Sequence, residues 1–207
     1  MRCRYCCNKL SLNFVDLGTA PPSNAYVEKS SLSKHEKWFP LKVMLCEKCW
    51  LVQTIDIVDS KEIFNDKYIY FSSFSKSWLE HSKNYVESVI KRFDLDNNSQ
   101  VVEIAANDGY LLQYFKRNNI PSLGIEPSKG AAKLARKKGI SIIQDFFNQN
   151  LSLDLVKDGF SADLTIANNV LAHVPNLNDF IKAFYILLKP KGVATFEFPS
   201  LLELIKK

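Results

Sequence analysis

No apolar run in this 207-residue chain approaches the roughly 20 residues a membrane span needs, so a transmembrane helix is excluded. The opening Met1-Arg2-Cys3-Arg4 lacks the apolar core of a secretory signal, and a cytoplasmic protein is expected. Internal repeats and low-complexity tracts are absent. What remains is an ordinary globular composition, 46% hydrophobic and 24% charged. The net charge of +5 is scattered, with Lys133, Arg136, Lys137 and Lys138 as its densest group. Basic residues interleaved with aromatics, as single-strand binders use them, are lacking. That group therefore reads as a solvated helix face, and no nucleic-acid partner is expected. Glycine is missing where a nucleotide-binding turn would carry it. The stretch "VVEIAANDGYLL", Val101 to Leu112, has the outline of strand, polar loop and helix. Ala105 and Asn107 occupy two of the small positions that a dinucleotide loop fills as G-x-G-x-x-G.

Cysteine is sparse but patterned. Four of the five fall in Cys3-x-x-Cys6 and Cys46-x-x-Cys49, separated by 39 residues. In an intracellular chain this spacing argues for metal rather than disulfides. Four thiolates suit one tetrahedral zinc in a closed, structural site, since no position is left open for chemistry. Residues 1–58 are short-stranded and turn-rich, too small to bury a convincing core unaided, and the metal would supply the missing stabilisation. The long gap predicts a hairpin or extra strands inside it. Phe14-Val15-Asp16-Leu17-Gly18 reads as a strand end, Ala20 to Asn24 as a loop, and Cys7 as a spare thiol.

Residues 59–98 form a connector, with the aromatic, hydroxyl-rich "YIYFSSFSKSW" followed by a helix from about Ser77 to Phe93. Trp78, His81, Tyr85, Val89 and Phe93 recur at helical spacing, and His81 reads as a residue packed under that stripe. From residue 99 to 207, strands alternate with helices, which implies a doubly wound parallel sheet and an α/β class. The strands are predicted at Val101–Ala105, Ser122–Glu126, Ser141–Gln144, Leu164–Ala167 and Val193–Phe198. Helices are predicted near 110–118, 129–138, 147–157 and 178–188. "LLKPKGV", Leu187 to Val193, reads as a helix–turn–strand step.

Glycines in a dinucleotide loop let backbone approach a pyrophosphate at a helix N-terminus. A ligand without phosphates tolerates Ala105 and Asn107, and S-adenosylmethionine (SAM) is such a ligand. Glu103, at the first strand's end, would meet the cationic end of the methionine moiety. Asn107 and the backbone N–H groups of Gly109 and Tyr110 would hold its carboxylate. Glu126 ends the second strand, 23 residues after Glu103, where an acid accepts from both ribose hydroxyls. Asp145 would accept from the adenine amino group and Phe146 would pack on the ring. Asn168, Asn169 and His173 fall at the carboxyl edge, the ligand side of such sheets. An NAD-type domain is the rival reading and fits the altered glycine loop less well.

The stretches "CRYC", "FVDLGTAPPSNAYV", "CEKCWLVQ", "YIYFSSFSKSWLEHSKNYV", "VVEIAANDGYLLQYF", "LGIEPS", "ADLTIANNVLAHVPNLNDF" and "FEFPSLLELI" resemble, in order, the zinc-containing, SAM-dependent sugar C-methyltransferases of deoxysugar biosynthesis. Cys7 and Trp50 depart from that family, which commonly has glycine after each cysteine knuckle. The resemblance implies a class I methyltransferase, Rossmann-like sheet preceded by a small zinc-binding β domain. It also implies a reaction: a base removes the proton beside a keto group of a nucleotide-linked sugar, and the enolate takes the SAM methyl group. His173, Tyr68 and Tyr70 resemble positions lining the family's acceptor pocket. In the family the chain continues into a motif that supplies the principal base and into a sugar-binding domain. This sequence stops at Lys207, with the sheet incomplete at its C-terminal end. A fragment inactive alone, or one half completed by a partner chain, is therefore expected. Two further readings stay open: a non-catalytic zinc and SAM module that pairs with another chain, and a methyltransferase for another small acceptor.

Overall fold

The structure, a computed structural model, describes residues 1–55, 59–64 and 68–206. The boundary expected at residue 58 lies outside them. The chain divides into two compact units, residues 1–69 with 175–178, and residues 70–174 with 179–207.

In the first unit, β1 (Leu12–Ala20), β2 (Phe39–Leu45) and β3 (Val52–Thr54) form an antiparallel sheet in the order β1-β2-β3. The hairpin β1–β2 fills the gap between the cysteine pairs, as its length demanded. The strand expected to end at Gly18 instead runs on to Ala20. It does so through an irregularity between Asp16 and Thr19, where Gly18 takes φ +79° and donates its N–H to Asp16 Oδ1 at 3.0 Å. The buried apolar cluster here is small, Leu10 and Met44 around Cys3 and Cys46. The short helix α1 (Ser60–Ile63) follows.

The second unit opens with α2 (Lys76–Arg92), whose N-cap Ser75 accepts from the Trp78 N–H at 3.2 Å. Then come β4 (Val101–Ile104), α3 (Leu112–Arg117), β5 (Ser122–Ile125), α4 (Lys129–Lys137), β6 (Ser141–Ile143), α5 (Gln149–Lys157), β7 (Ala162–Asn168), α6 (Leu177–Leu187), β8 (Leu188–Glu197) and α7 (Leu201–Lys206). The five strands are parallel in the order β6-β5-β4-β7-β8, so the order reverses beside β4 and a ligand crevice opens outside its carboxyl end.

Alternation along β4 sends Val101 to one face and Val102 to the other. Val101 joins Val86 and Val89 of α2, Leu112 and Phe115 of α3, and Leu164 and Ile166 of β7. Val102 and Ile104 join Phe147 and the α6 residues Phe180, Ala183, Phe184 and Leu187, whose rings meet edge-to-face about Phe147 at 4.9–5.7 Å. Every β4 side chain is buried, as a central parallel strand requires.

One local expectation fails. No turn separates α6 from β8; the strand begins at Leu188 directly after the helix, and the extra residues of "LKPKG" bulge between Leu188, paired with Ala162, and Val193, paired with Leu164. Gly192 lies so close to β7 that a Cβ there would stand 2.7 Å from the Ala162 carbonyl oxygen.

Candidate functional site

The four cysteines of the first unit converge. Cys3 Sγ lies 3.5 Å from Cys49 Sγ, Cys6 Sγ lies 3.5 Å from Cys46 Sγ, and all four sulfurs fall within 4.8 Å of one another. A tetrahedron with zinc–sulfur bonds of about 2.3 Å has edges of roughly 3.8 Å. The donor set therefore fits zinc. Each knuckle closes with a backbone bond from the following residue, Cys7 N–H to Cys3 O at 3.0 Å and Trp50 N–H to Cys46 O at 2.8 Å. This places Cys7 and Trp50 in the left-handed region, at φ 59° and 63°. The two departures from glycine thus stand where glycine would be unstrained.

The thiols cannot all ionise without a cation. Burial opposes ionisation of Cys3, but the Cys6 N–H, Gln53 and the Tyr5 N–H outweigh it and lower the thiol to about 6. At Cys49 the Leu51 N–H pulls down, while burial and the neighbouring cysteines push the thiol up to about 12. A zinc ion would remove that conflict, and zinc is the metal of this site.

In the second unit the loop after β4 retains the backbone of a glycine loop without its glycines. Ala105, Asn107 and Gly109 take φ 58°, 49° and 74°. The Gly109 N–H, expected to face the ligand, is used inside the turn, donating to Ala106 O at 3.0 Å. Gly109 also packs closely on α4, since a Cβ there would meet Ile140 at 3.0 Å and Ala135 at 3.3 Å. The Asn107 side chain is likewise engaged. Its oxygen accepts from the Ser72 N–H at 2.9 Å and its nitrogen donates to Tyr70 O at 3.0 Å. Asn107 therefore fastens the aromatic segment to the loop. Ser73 adds a bond to Asp108, which also meets Lys138 Nζ at 3.2 Å.

Glu103 is completely buried, and neither of its oxygens has a hydrogen-bond partner among the described residues. Burial holds its carboxyl well above the usual range. The Tyr110 phenol pulls the other way, and Glu126 and Asp108 add to the rise. Tyr110, 3% exposed, puts its ring rather than only its backbone at the site. Glu126 accepts from the Asn107 N–H at 2.9 Å on one oxygen and from the Ser128 N–H at 2.7 Å on the other. One lone pair per oxygen is left for ribose hydroxyls. Burial raises its carboxyl too, against those donors. Asp145 is exposed, with Oδ1 accepting from the half-buried Phe146 N–H at 2.7 Å. It is Phe147, the next residue, that enters the core.

Four carboxylates, Glu103, Asp108, Glu126 and Asp145, thus sit around this loop and strand edge, with Lys138 engaged by Asp108. Such an acid-lined site suits a ligand that carries an ammonium and a sulfonium. The residues fit SAM.

At the far side of the edge, Asn168 ends β7 with 7% exposure, Asn169 follows at φ 53°, and His173 is exposed in a single helical turn, Leu171–His173. Tyr70 is exposed beside the loop; Tyr68 belongs to the first unit, its ring edge-on to Phe64 at 5.1 Å. Glu103, Ala105, Asn107, Gly109, Tyr110, Glu126, Tyr70 and Asn168 are therefore gathered within the second unit, whereas Tyr68 is not.

His81 is not under the helix stripe. It stacks on Trp78 at 5.0 Å and meets Glu197 at 2.8 Å, with its side chain 50% exposed. Four residues on, the Tyr85 hydroxyl meets Thr195 Oγ1 at 2.5 Å. Burial pushes the Tyr85 phenol up to about 12; Thr195 opposes this, and Glu103 and Glu197 add to it. Sequence reasoning passed over Glu197 and Thr195. The alternation of "ATFEF", which puts both on the α2 side of β8, was the signal available.

Residues 3–64 match a family model described as a zinc binding domain, and residues 102–194 match a methyltransferase domain model. The chain is 26% identical over 204 residues to C-methyltransferase NovU of Streptomyces niveus, across 99% of this chain and 48% of that protein. It thus spans about half the length of the curated relative it matches. Among solved structures, Streptomyces venezuelae DesVI matches at a TM-score of 0.51 and 18% identity, over 63% of this chain and 55% of that one. The PH0226 protein of Pyrococcus horikoshii OT3 matches at 0.51 and 17%, over 66% of this chain and 61% of that one. The chain joins a four-cysteine zinc domain to a class I methyltransferase fold, whose cofactor is SAM.

Proposed function

We propose that this chain is the zinc- and SAM-binding part of a cytoplasmic C-methyltransferase acting on a nucleotide-linked keto-deoxysugar through an enolate. The observation that carries the reading is the loop after β4, which keeps a glycine loop's backbone at Ala105, Asn107 and Gly109 but surrounds it with carboxylates. Glu103 would face the ammonium of the methionine moiety, Glu126 the ribose hydroxyls, Asp145 the adenine amino group, and Phe146 the ring. Bound there, SAM supplies an electrophilic methyl group. Tyr70 and His173 would line the acceptor side, and Tyr68 stays a candidate from the resemblance alone. The likeness to NovU, a C-methyltransferase, supports transfer to carbon.

Calorimetric titration with SAM tests the cofactor reading. One site per chain is expected, weakened at least tenfold in Glu126→Ala, because two ribose hydrogen bonds of about 1 kcal/mol each are lost. Absent binding, or binding unchanged in that variant, refutes it. A methyl-transfer assay with a nucleotide-linked keto-deoxysugar tests the acceptor.

A second reading is a non-catalytic zinc and SAM module that pairs with another chain. The activity of the chain alone in the same assay, with and without a carboxy-terminal half, separates the two.

A further inference from the structure

The loop after β4 and the segment before α2 are joined residue by residue. Asn107 Oδ1 accepts from the Ser72 N–H at 2.9 Å, and Asn107 Nδ2 donates to Tyr70 O at 3.0 Å. Asp108, the next residue, accepts from the Ser73 hydroxyl on Oδ2 and from Lys138 Nζ on the same oxygen at 3.2 Å. Ser75 then caps α2, and Trp78 returns to the loop with its ring 6.0 Å from that of Tyr110. The segment is thus held at both ends. Ser72 is buried, while Tyr70 and Phe74 stay exposed.

Asn107 stands at the centre of these contacts for a backbone reason. At φ 49° it lies in the left-handed region, where a glycine loop carries glycine and where asparagine is among the few side chains readily tolerated. Glycine would satisfy the backbone but has no amide to offer. Asparagine does both, since its oxygen meets one backbone donor and its nitrogen one backbone acceptor. The Asn107 N–H, meanwhile, donates to Glu126 Oε2 at 2.9 Å. One buried residue therefore bonds through its main chain to the acid read as the ribose acceptor, and through its side chain to the segment that carries Tyr70.

We propose that Asn107 is a positioning residue that couples the cofactor site to the segment Tyr70–Ser73. A cofactor held on Glu126 stabilises the fastened segment, and the fastened segment strengthens cofactor binding. Through the segment, cofactor binding also sets the position of Tyr70 on the acceptor side. This inference rests on the reading of Glu126 as the ribose acid.

Coupling between two sites is reciprocal, which makes it measurable without methyl transfer. The full 207-residue chain is titrated with S-adenosylhomocysteine (SAH) by calorimetry. Exchange of the Ser72 amide in heavy water is followed by NMR, because that N–H donates to the Asn107 side chain. In the wild type, saturating SAH slows Ser72 exchange. Asn107→Gly keeps the left-handed backbone and the N–H to Glu126 but removes the side chain. It weakens SAH binding by about tenfold, and its Ser72 amide exchanges fast with or without SAH. The slowing in the wild type and the weakening in the variant are the same factor, which a merely structural contact would not produce. Ser73→Ala leaves Asn107 untouched and shifts both readings the same way by less; should Asn107→Gly fail to fold, it carries the test. SAH that binds the wild type without slowing Ser72 exchange, or that binds Asn107→Gly as tightly as the wild type, overturns the proposal. A wild type that does not bind SAH overturns the reading of Glu126 instead.

Discussion

Replacing Glu103 by glutamine removes one titration from the folded protein, so its effect on stability depends on pH. The carboxyl is completely buried on β4 and has no hydrogen-bond partner among the described residues. Burial, with Glu126 and Asp108, holds it well above the usual carboxylate range despite the Tyr110 phenol. In the unfolded chain the same group titrates near about 4.3. Between those values the folded protein keeps a proton that the unfolded chain has released. Its contribution to stability is therefore full below the unfolded pKa and is lost as pH rises towards the folded one. For one group the slope is about 1.4 kcal/mol per pH unit. Glu103→Gln does not titrate, and whatever its buried amide costs is the same at every pH. Its stability relative to the wild type should then climb by roughly 1.4 kcal/mol per unit from about pH 5 upward, until the folded carboxyl ionises. Urea unfolding followed by far-ultraviolet circular dichroism measures this, because the long helices belong to the second unit. Saturating SAH, whose ammonium would meet the carboxylate, should flatten the slope. Parallel pH profiles for the two proteins would refute the reasoning, since Glu103 would then be ionised in the folded protein despite its burial.

Metal analysis should give one zinc per chain. In Cys46→Ser the zinc should fall well below that, and chelation should melt the first unit alone, whose core without the cysteines is little more than Leu10 and Met44. Ala105→Gly relieves a left-handed alanine at φ 58°, worth about 1–2 kcal/mol, against about 0.4–1 kcal/mol of added unfolded-chain entropy. A net gain on the order of 0.5–1 kcal/mol is expected in urea melts, and a loss would mean that the methyl group is needed. Gly192→Ala should destabilise the second unit by about 1–3 kcal/mol, because the new Cβ would press on the backbone oxygen of Ala162 at 2.7 Å and neither paired strand can yield. A melting temperature equal to the wild type's would show that the bulge relaxes.

Periodicity and cysteine spacing made much of this molecule legible in advance. The parallel sheet follows from apolar runs of strand length alternating with helical stripes. The zinc ligands follow from two C-x-x-C pairs, which leave sulfur few other roles in such a segment. Both are local signals, written in neighbouring residues. The loop after β4 was half legible. Its altered glycines pointed away from a diphosphate, but that Ala105 and Asn107 would still adopt left-handed backbone was decided by the turn between β4 and α3. Asn107 was assigned to a ligand because sequence lists its polar atoms without their partners. Only folding brings Tyr70 and Ser72 to those atoms and consumes them. The same holds for Glu103, whose complete burial beside the Tyr110 phenol is a property of the packed face around it. His81 and Glu197 are 116 residues apart in the chain, and the docking of α2 on β8 alone makes them a pair. Sequence determined which elements form and which atoms can bind metal; tertiary structure decided which polar groups remain available, because satisfaction of a buried group depends on distant residues that no local pattern specifies.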